Sequence, residues 1–158
     1  MRAQREYPRV PPRLFRIFSN NPLYFVTFCT YGRRKLLQAP EINAAFIEFA
    51  ERAYTEHAIA VGRYVIMPDH VHLFVRGPDN FRLGPWIGML KQALAKRILE
   101  TRSNVPIWQR GFFDHVLRSD ESYAQKWDYV RPNPVRAALV ERAEDWPYAG
   151  EIVMIDRA

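Results

Sequence analysis

The stretch Met67–Val75, MPDHVHLFV, sets His70 and His72 one residue apart in an apolar run rich in β-branched and aromatic side chains. Such a run predicts a buried strand, and on a strand residues i and i+2 point to the same face. Both imidazoles therefore project side by side, while Val71, Leu73 and Val75 point the other way into a core. Two adjacent imidazoles on one sheet face make half of a divalent-metal site. The plainer reading of the same residues is a pair of histidines satisfied by hydrogen bonds at a sheet edge.

Leu23–Thr30 (LYFVTFCT) is aromatic and β-branched and predicts an earlier strand, followed by a basic turn at Gly32, Arg33, Arg34 and Lys35. Ile42, Ala45, Phe46, Phe49, Ala50 and Ala53 recur at helical spacing, which predicts a helix over Glu41–Glu56. Ala58–Met67 returns to strand character, and Pro68 and Asp69 bend it toward the histidine strand. A second amphipathic helix is expected over Leu83–Thr101, with Trp86, Met89, Leu90, Ala93, Leu94 and Ile98 as its apolar stripe. Its polar side, with Lys91, Lys96, Arg97 and Arg102, is basic. Phe112–Arg118, FFDHVLR, alternates as a further strand. Ser119 can cap a helix running to Val130, with Asp120 and Glu121 in the first turn. A short helix over Pro134–Val140 follows. This order predicts an α+β fold: an antiparallel sheet with helices packed on one face, of the split βαβ kind.

The chain of 158 residues is one domain long, enough to bury roughly 70% of its unfolded surface without disulfides. Three segments are expected: a basic arm at 1–18, one catalytic domain at 19–150, and a tail at 151–158. No run approaches the ~20 apolar residues of a membrane span. The N-terminus lacks an apolar signal-peptide core, and Cys29 is the sole cysteine, so a reducing cytosol is the expectation. A formal charge of +6 and a pI near 9.7 fit a polyanionic partner, or simply a soluble surface. Clustering favours the partner. Arg2, Arg5, Arg9, Arg13 and Arg16 stand against Glu6 alone, with Pro8, Pro11 and Pro12 keeping the arm extended along phosphates.

Three pieces can cooperate: the histidine pair, Tyr129 on the helix that ends in DYVRPNPVRAALV, and Asn133 four residues later. A phenol attacking a phosphodiester meets negative charge. A divalent ion on two imidazoles and one oxygen ligand neutralises a non-bridging oxygen and leaves positions for substrate. Tyrosine ionises near pH ~10, so nearby positive charge favours its attack. Tyr123, Trp127 and Val130 already supply the helix's core face, which frees Tyr129 for a cleft or for solvent. Asn133-Pro134 is also a favoured cap and first-turn pair, a role that can coexist with any other.

These residues, in this order, resemble the HUH single-tyrosine transposases, and within them the REP-associated tyrosine transposases. The resemblance covers Leu23–Tyr148 and is carried by YVIMPDHVHLFV at Tyr64–Val75, IWQRGFFDHVLR at Ile107–Arg118, and DYVRPNPVRAALV with DWPY at Asp128–Val140 and Asp145–Tyr148. It implies a ferredoxin-like fold and an enzyme that nicks and rejoins DNA. His70 and His72 would be metal ligands, Tyr129 the nucleophile, and Asn133 a third, amide-oxygen ligand. The implied ion is Mg²⁺ or Mn²⁺. The implied substrate is single-stranded DNA beside an imperfect hairpin, cleaved to a 5′-phosphotyrosine and a free 3′-hydroxyl. A cytoplasmic, nucleoid-associated bacterial protein, monomeric or homodimeric and without membrane attachment, would follow.

The chain departs from the family pattern at three places. Pro132 disfavours helical geometry between Tyr129 and Asn133. Ala138 stands where the family commonly has Gly, and Ala149-Gly150 replaces a Ser pair. Further DNA contacts are expected from Lys91, Arg97, Trp108, Arg110 and His115, although His115 and most of the aromatics also have core or structural readings. Two rival functions share the inventory: a DNA-binding regulator that no longer cleaves, and a metal-dependent phosphodiesterase that uses water in place of Tyr129.

Overall fold

The alternation of the histidine strand is realised in the computed structural model, which describes residues 21–98, 104–117 and 120–155. The arginines at 2–16, Arg102 and the Ser119 cap lie outside these. β1 (Leu23–Cys29) is followed by α1 (Pro40–His57), β2 (Ala60–Ile66), β3 (His70–Arg76), α2 (Leu83–Ala95), β4 (Phe113–Leu117), α3 (Asp120–Val130), α4 (Asn133–Arg136) and β5 (Ala149–Glu151). The strands form one sheet in the order β4-β1-β3-β2-β5. Every pairing is antiparallel. The first four strands therefore have the split βαβ arrangement, with the histidine strand at the centre.

Val71, Leu73 and Val75 are fully buried on one face, against Ile42, Phe46 and Ala50 of α1 and Trp86, Ile87, Leu90 and Leu94 of α2. The opposite face has its own apolar cluster: Leu23, Phe25, Val65, Met67 and Phe74 under Tyr123 and Val130 of α3, closed by Trp146. The α+β antiparallel class holds, but the helices do not all pack on one face. β1 and β3 carry large apolar side chains on both faces, so the second face also needs a cover. α3 provides it.

Two details fix α3 against the sheet. Gly62, at a bulge of β2, has no side chain, and a Cβ there would stand 2.6 Å from the Tyr123 hydroxyl. That hydroxyl accepts the Arg63 backbone N–H at 3.1 Å. Phe74 meets Tyr123 edge-on, with ring centroids 4.7 Å apart. Farther along, the Trp146 indole N–H donates to the Ile66 carbonyl at 3.0 Å, in a buried site. This contact seats the DWPY segment so that β5 can add to β2, a three-residue strand that no pattern in the sequence announces.

α2 stops at Ala95 instead of continuing to Thr101: Arg97 and Ile98 donate to carbonyls three residues back, which tightens and closes the last turn. α4 is shorter than expected for a related reason. Leu139 N–H donates to the Pro134 carbonyl and Ala138 N–H to that of Val135, the double bond of a Schellman ending. Ala138 sits at its left-handed position with φ +58°. A Cβ is disfavoured there, which explains why a glycine suits this place. Ala138→Gly should raise the unfolding free energy by about 1 kcal/mol, read from the midpoint of a urea titration; a lower midpoint would contradict the strain.

Candidate active site

His70 and His72 emerge from β3 on the face that α3 covers, half-buried, their ring centroids 4.7 Å apart. Each ring is held through Nδ1. His70 Nδ1 lies 2.7 Å from Asp69 Oδ1; a carboxylate only accepts, so this nitrogen carries the proton and Nε2 keeps its lone pair. His72 Nδ1 lies 2.7 Å from the Thr27 hydroxyl, brought opposite it by the β1–β3 register. The Asp69 carboxylate sets the tautomer of His70, while the Thr27 hydroxyl, able to donate or accept, orients the His72 ring.

Asp69 is itself anchored. Its Oδ2 accepts from Arg33 Nε at 3.0 Å, and its carbonyl accepts the Thr30 backbone N–H at 2.9 Å. Arg33 has a left-handed backbone, φ +55°, uncommon for a non-glycine residue, and its ion pair with Asp69 aims it at the turn. Burial alone would raise the Asp69 carboxyl, but the hydrogen bond and charge of His70, with Arg33, hold it below the usual carboxylate range. Burial lowers His70 against the opposing pull of Asp69. Burial drives His72 down to about 3, helped by His70, Lys126 and Arg33. Both rings are thus neutral near pH 7, the state in which imidazole ligates. Among the described residues no third His, Cys, Asp or Glu joins them in a metal-binding group.

Tyr129 lies near the end of α3 on the same side of the sheet, 67% exposed. Contacts link it to the pair. The Phe25 ring stacks on His72 at 5.4 Å and 16°, Lys126 Nζ lies 4.8 Å from the Phe25 ring centroid, and the same ammonium is 5.7 Å from the centroid of the Tyr129 ring. On the other flank, the Arg136 guanidinium lies 5.1 Å from the Tyr129 ring and donates to both the Tyr129 carbonyl and Asn133 Oδ1. Pro132 does end the helix, and α4 restarts at Asn133 without a side-chain cap. Asn133 therefore serves no capping role, and its amide oxygen is held by Arg136.

The sequence pattern marked neither Lys126 nor Arg136. Lys126 stands one helical turn before Tyr129, a spacing that could have identified it. Other expected DNA contacts sit elsewhere. Lys91 Nζ donates to the carbonyls of Gln109 at 3.2 Å and Gly111 at 2.5 Å, stapling a loop. The Trp108 indole donates to the Lys91 carbonyl at 3.0 Å and packs edge-on against Phe28, so it is committed to the fold. Arg97, just past α2, lies in a groove between α1 and α2, on the face away from the histidines. Arg110 and His115 are exposed, and His115 pairs with Phe25 on the histidine side.

Residues 19–131 match the family described as Transposase IS200 like, a span that ends just before Asn133. A Haemophilus influenzae protein with the provisional name REP-associated tyrosine transposase is 31% identical over 148 residues, covering 85% of this chain and 82% of its own. A REP-associated tyrosine transposase of Escherichia coli K12 is 29% identical over 92 residues, 56% of this chain and 52% of its own. The solved structure of a REP-associated tyrosine transposase bound to a REP hairpin superimposes with a TM-score of 0.66 at 22% identity, covering 91% of this chain and 81% of that one.

The depressed histidines carry a sign for stability. A folded His72 near 3 and an unfolded histidine near 6.5 mean that the unfolded chain binds the extra proton between those values. Stability is full above pH ~6.5 and is lost as pH falls through that window, by up to about 1.4 kcal/mol per pH unit from this one group. Urea unfolding in chelator between pH 7 and 4.5 should show this slope, and His72→Gln should lose it; equal slopes would refute the assignment.

Proposed function

The chain belongs to the IS200-like transposase family, and from that membership we propose that it cleaves and rejoins single-stranded DNA beside a hairpin through a covalent bond to Tyr129. One observation carries this reading most directly: α3 lies across the histidine face, so Lys126 stands between the His72–Phe25 stack and the Tyr129 ring. The hairpin substrate is suggested by the solved relative, whose bound DNA is a REP hairpin.

His70 and His72 would hold a Mg²⁺ or Mn²⁺ ion through Nε2, with Asn133 offering an amide oxygen; when bound, that ion neutralises charge on a non-bridging phosphate oxygen. The chain's own residues do the rest. Tyr129 gives up its phenolic proton to solvent, and its oxygen bonds to phosphorus as the bond from phosphorus to the 3′-oxygen breaks. The 3′-oxygen takes a proton and leaves as a hydroxyl, while the 5′-phosphate stays on Tyr129. Rejoining runs the same exchange backward with another 3′-hydroxyl as the attacking group. Lys126 faces the phosphoryl oxygens as their charge grows, a role in which a preplaced cation lowers the barrier. Arg136 holds the backbone of Tyr129, so the phenol is presented from a fixed turn.

A non-cleaving DNA-binding protein is the second reading, favoured by the engagement of Asn133 Oδ1 with Arg136. Incubation with end-labelled hairpin DNA and Mn²⁺, followed by a denaturing gel, should give a protein–DNA adduct that chelator abolishes. The adduct should vanish in Tyr129→Phe and in the His70→Ala, His72→Ala double variant. Cleavage without an adduct would mean hydrolysis by water, and retention without cleavage a regulator. Lys126→Ala should slow adduct formation at least tenfold, with Lys126→Arg recovering part of it; an unchanged rate would remove Lys126 from the chemistry.

A further inference from the structure

β4, Phe113–Leu117, belongs to a motif that the chemistry above leaves unused. Phe113, its first strand residue, is 69% exposed. In the antiparallel register Phe113 faces Thr27 across β4–β1, and Thr27 faces His72 across β1–β3. Directly opposed residues share a face, so Phe113, Thr27 and His72 form one row on the active side of the sheet. At an interstrand spacing of about 4.8 Å, Phe113 stands about 10 Å from His72. Lone exposed rings are common on protein surfaces; Phe113 is set apart by its place in the row that ends on His72.

The ring borders a pocket of about 230 Å³ lined by Thr27, Cys29, Gln109, Arg110, Phe112 and Phe113, among others. Its outer wall is held in place: Gln109 N–H donates to the Cys29 carbonyl at 2.9 Å, Lys91 Nζ holds the carbonyls of Gln109 and Gly111, and Gly111 turns the chain at φ +78°. Drug-sized ligands occupy roughly 300–1,000 Å³, so this space suits a single planar ring system. Gln109 and Arg110 supply polar groups at its edge, and Arg110 adds a charge for the backbone phosphate.

We propose that Phe113 is a stacking platform for one nucleobase of the single strand, the base within two nucleotides of the phosphate attacked by Tyr129. The strand then runs across the sheet from the histidine row to its β4 edge. This rests on the reading of Tyr129 as a DNA nucleophile. Aromatic stacking tolerates any base, so Phe113 contributes affinity and register, and selectivity falls to Gln109 and Arg110.

The test uses the full chain carrying Tyr129→Phe, which binds without cleaving, and hairpin DNAs with 2-aminopurine scanned through the single-stranded flank in Mn²⁺. One position beside the cleavage point should be quenched on binding. Phe113→Ala should lose that quenching and bind at least tenfold more weakly, while Phe113→Trp should retain both. An abasic site at that position should weaken the Phe113 protein by the same factor and leave Phe113→Ala unchanged. Phe113→Ala binding within twofold of its parent, or penalties from the abasic site and the substitution that multiply, would overturn the platform. Failure of the Tyr129→Phe parent to retain any hairpin probe would overturn the nuclease reading itself.

Discussion

The pairing register between β1 and β3 is the constraint on which the rest of this molecule depends. Thr27 opposite His72 and Cys29 opposite His70 keep Val71, Leu73 and Val75 in the α1–α2 core. A slip of one residue would drive two imidazoles into the α1–α2 core and turn three aliphatic side chains toward the α3 face. The hydrophobic effect thus sets the orientation of the histidines indirectly. They face the other way because their neighbours must be buried. The same register delivers the Thr27 hydroxyl to His72 and, one strand farther, determines which β4 side chains share that face.

Charge is sorted around this pair. The close anion is Asp69, spent on His70 and Arg33, and the rings themselves are neutral. Positive groups collect around Tyr129: Lys126 on one flank and Arg136 on the other. A phosphate bound beside Tyr129 would meet these two cations. The excess charge of +6 in the whole chain points the same way, but its local arrangement is what makes it chemical.

The histidine strand, the two long helices and the core face of Tyr123 and Val130 could be read in the amino-acid order, because periodicity and burial go together. Sidedness could not. Nothing in the pattern of α3 says which face of the sheet it will cover, and that choice decides whether Tyr129 stands near the histidines. The partners of Lys91 and Trp108 were hidden for a similar reason: both belong to types that bind nucleic acid, and the fold gives their polar atoms backbone carbonyls at distances of about 3 Å. β5 went unseen because its pairing depends on Trp146 reaching Ile66 across 80 positions of chain. Asn133 was legible as a residue of interest, while its partner Arg136 was visible only once α4 had turned.

Arg136 has a wider mechanical meaning. One guanidinium spans the break that Pro132 makes, gripping the last turn of α3 by the Tyr129 carbonyl and the first residue of α4 by its amide. Two short rods joined by such a clasp pivot together, so tension on a strand covalently attached to Tyr129 would be shared with α4 and its Schellman ending. If the proposed bond to Tyr129 holds cut DNA until a second end arrives, the load would spread over a jointed brace and spare the last turn of one helix.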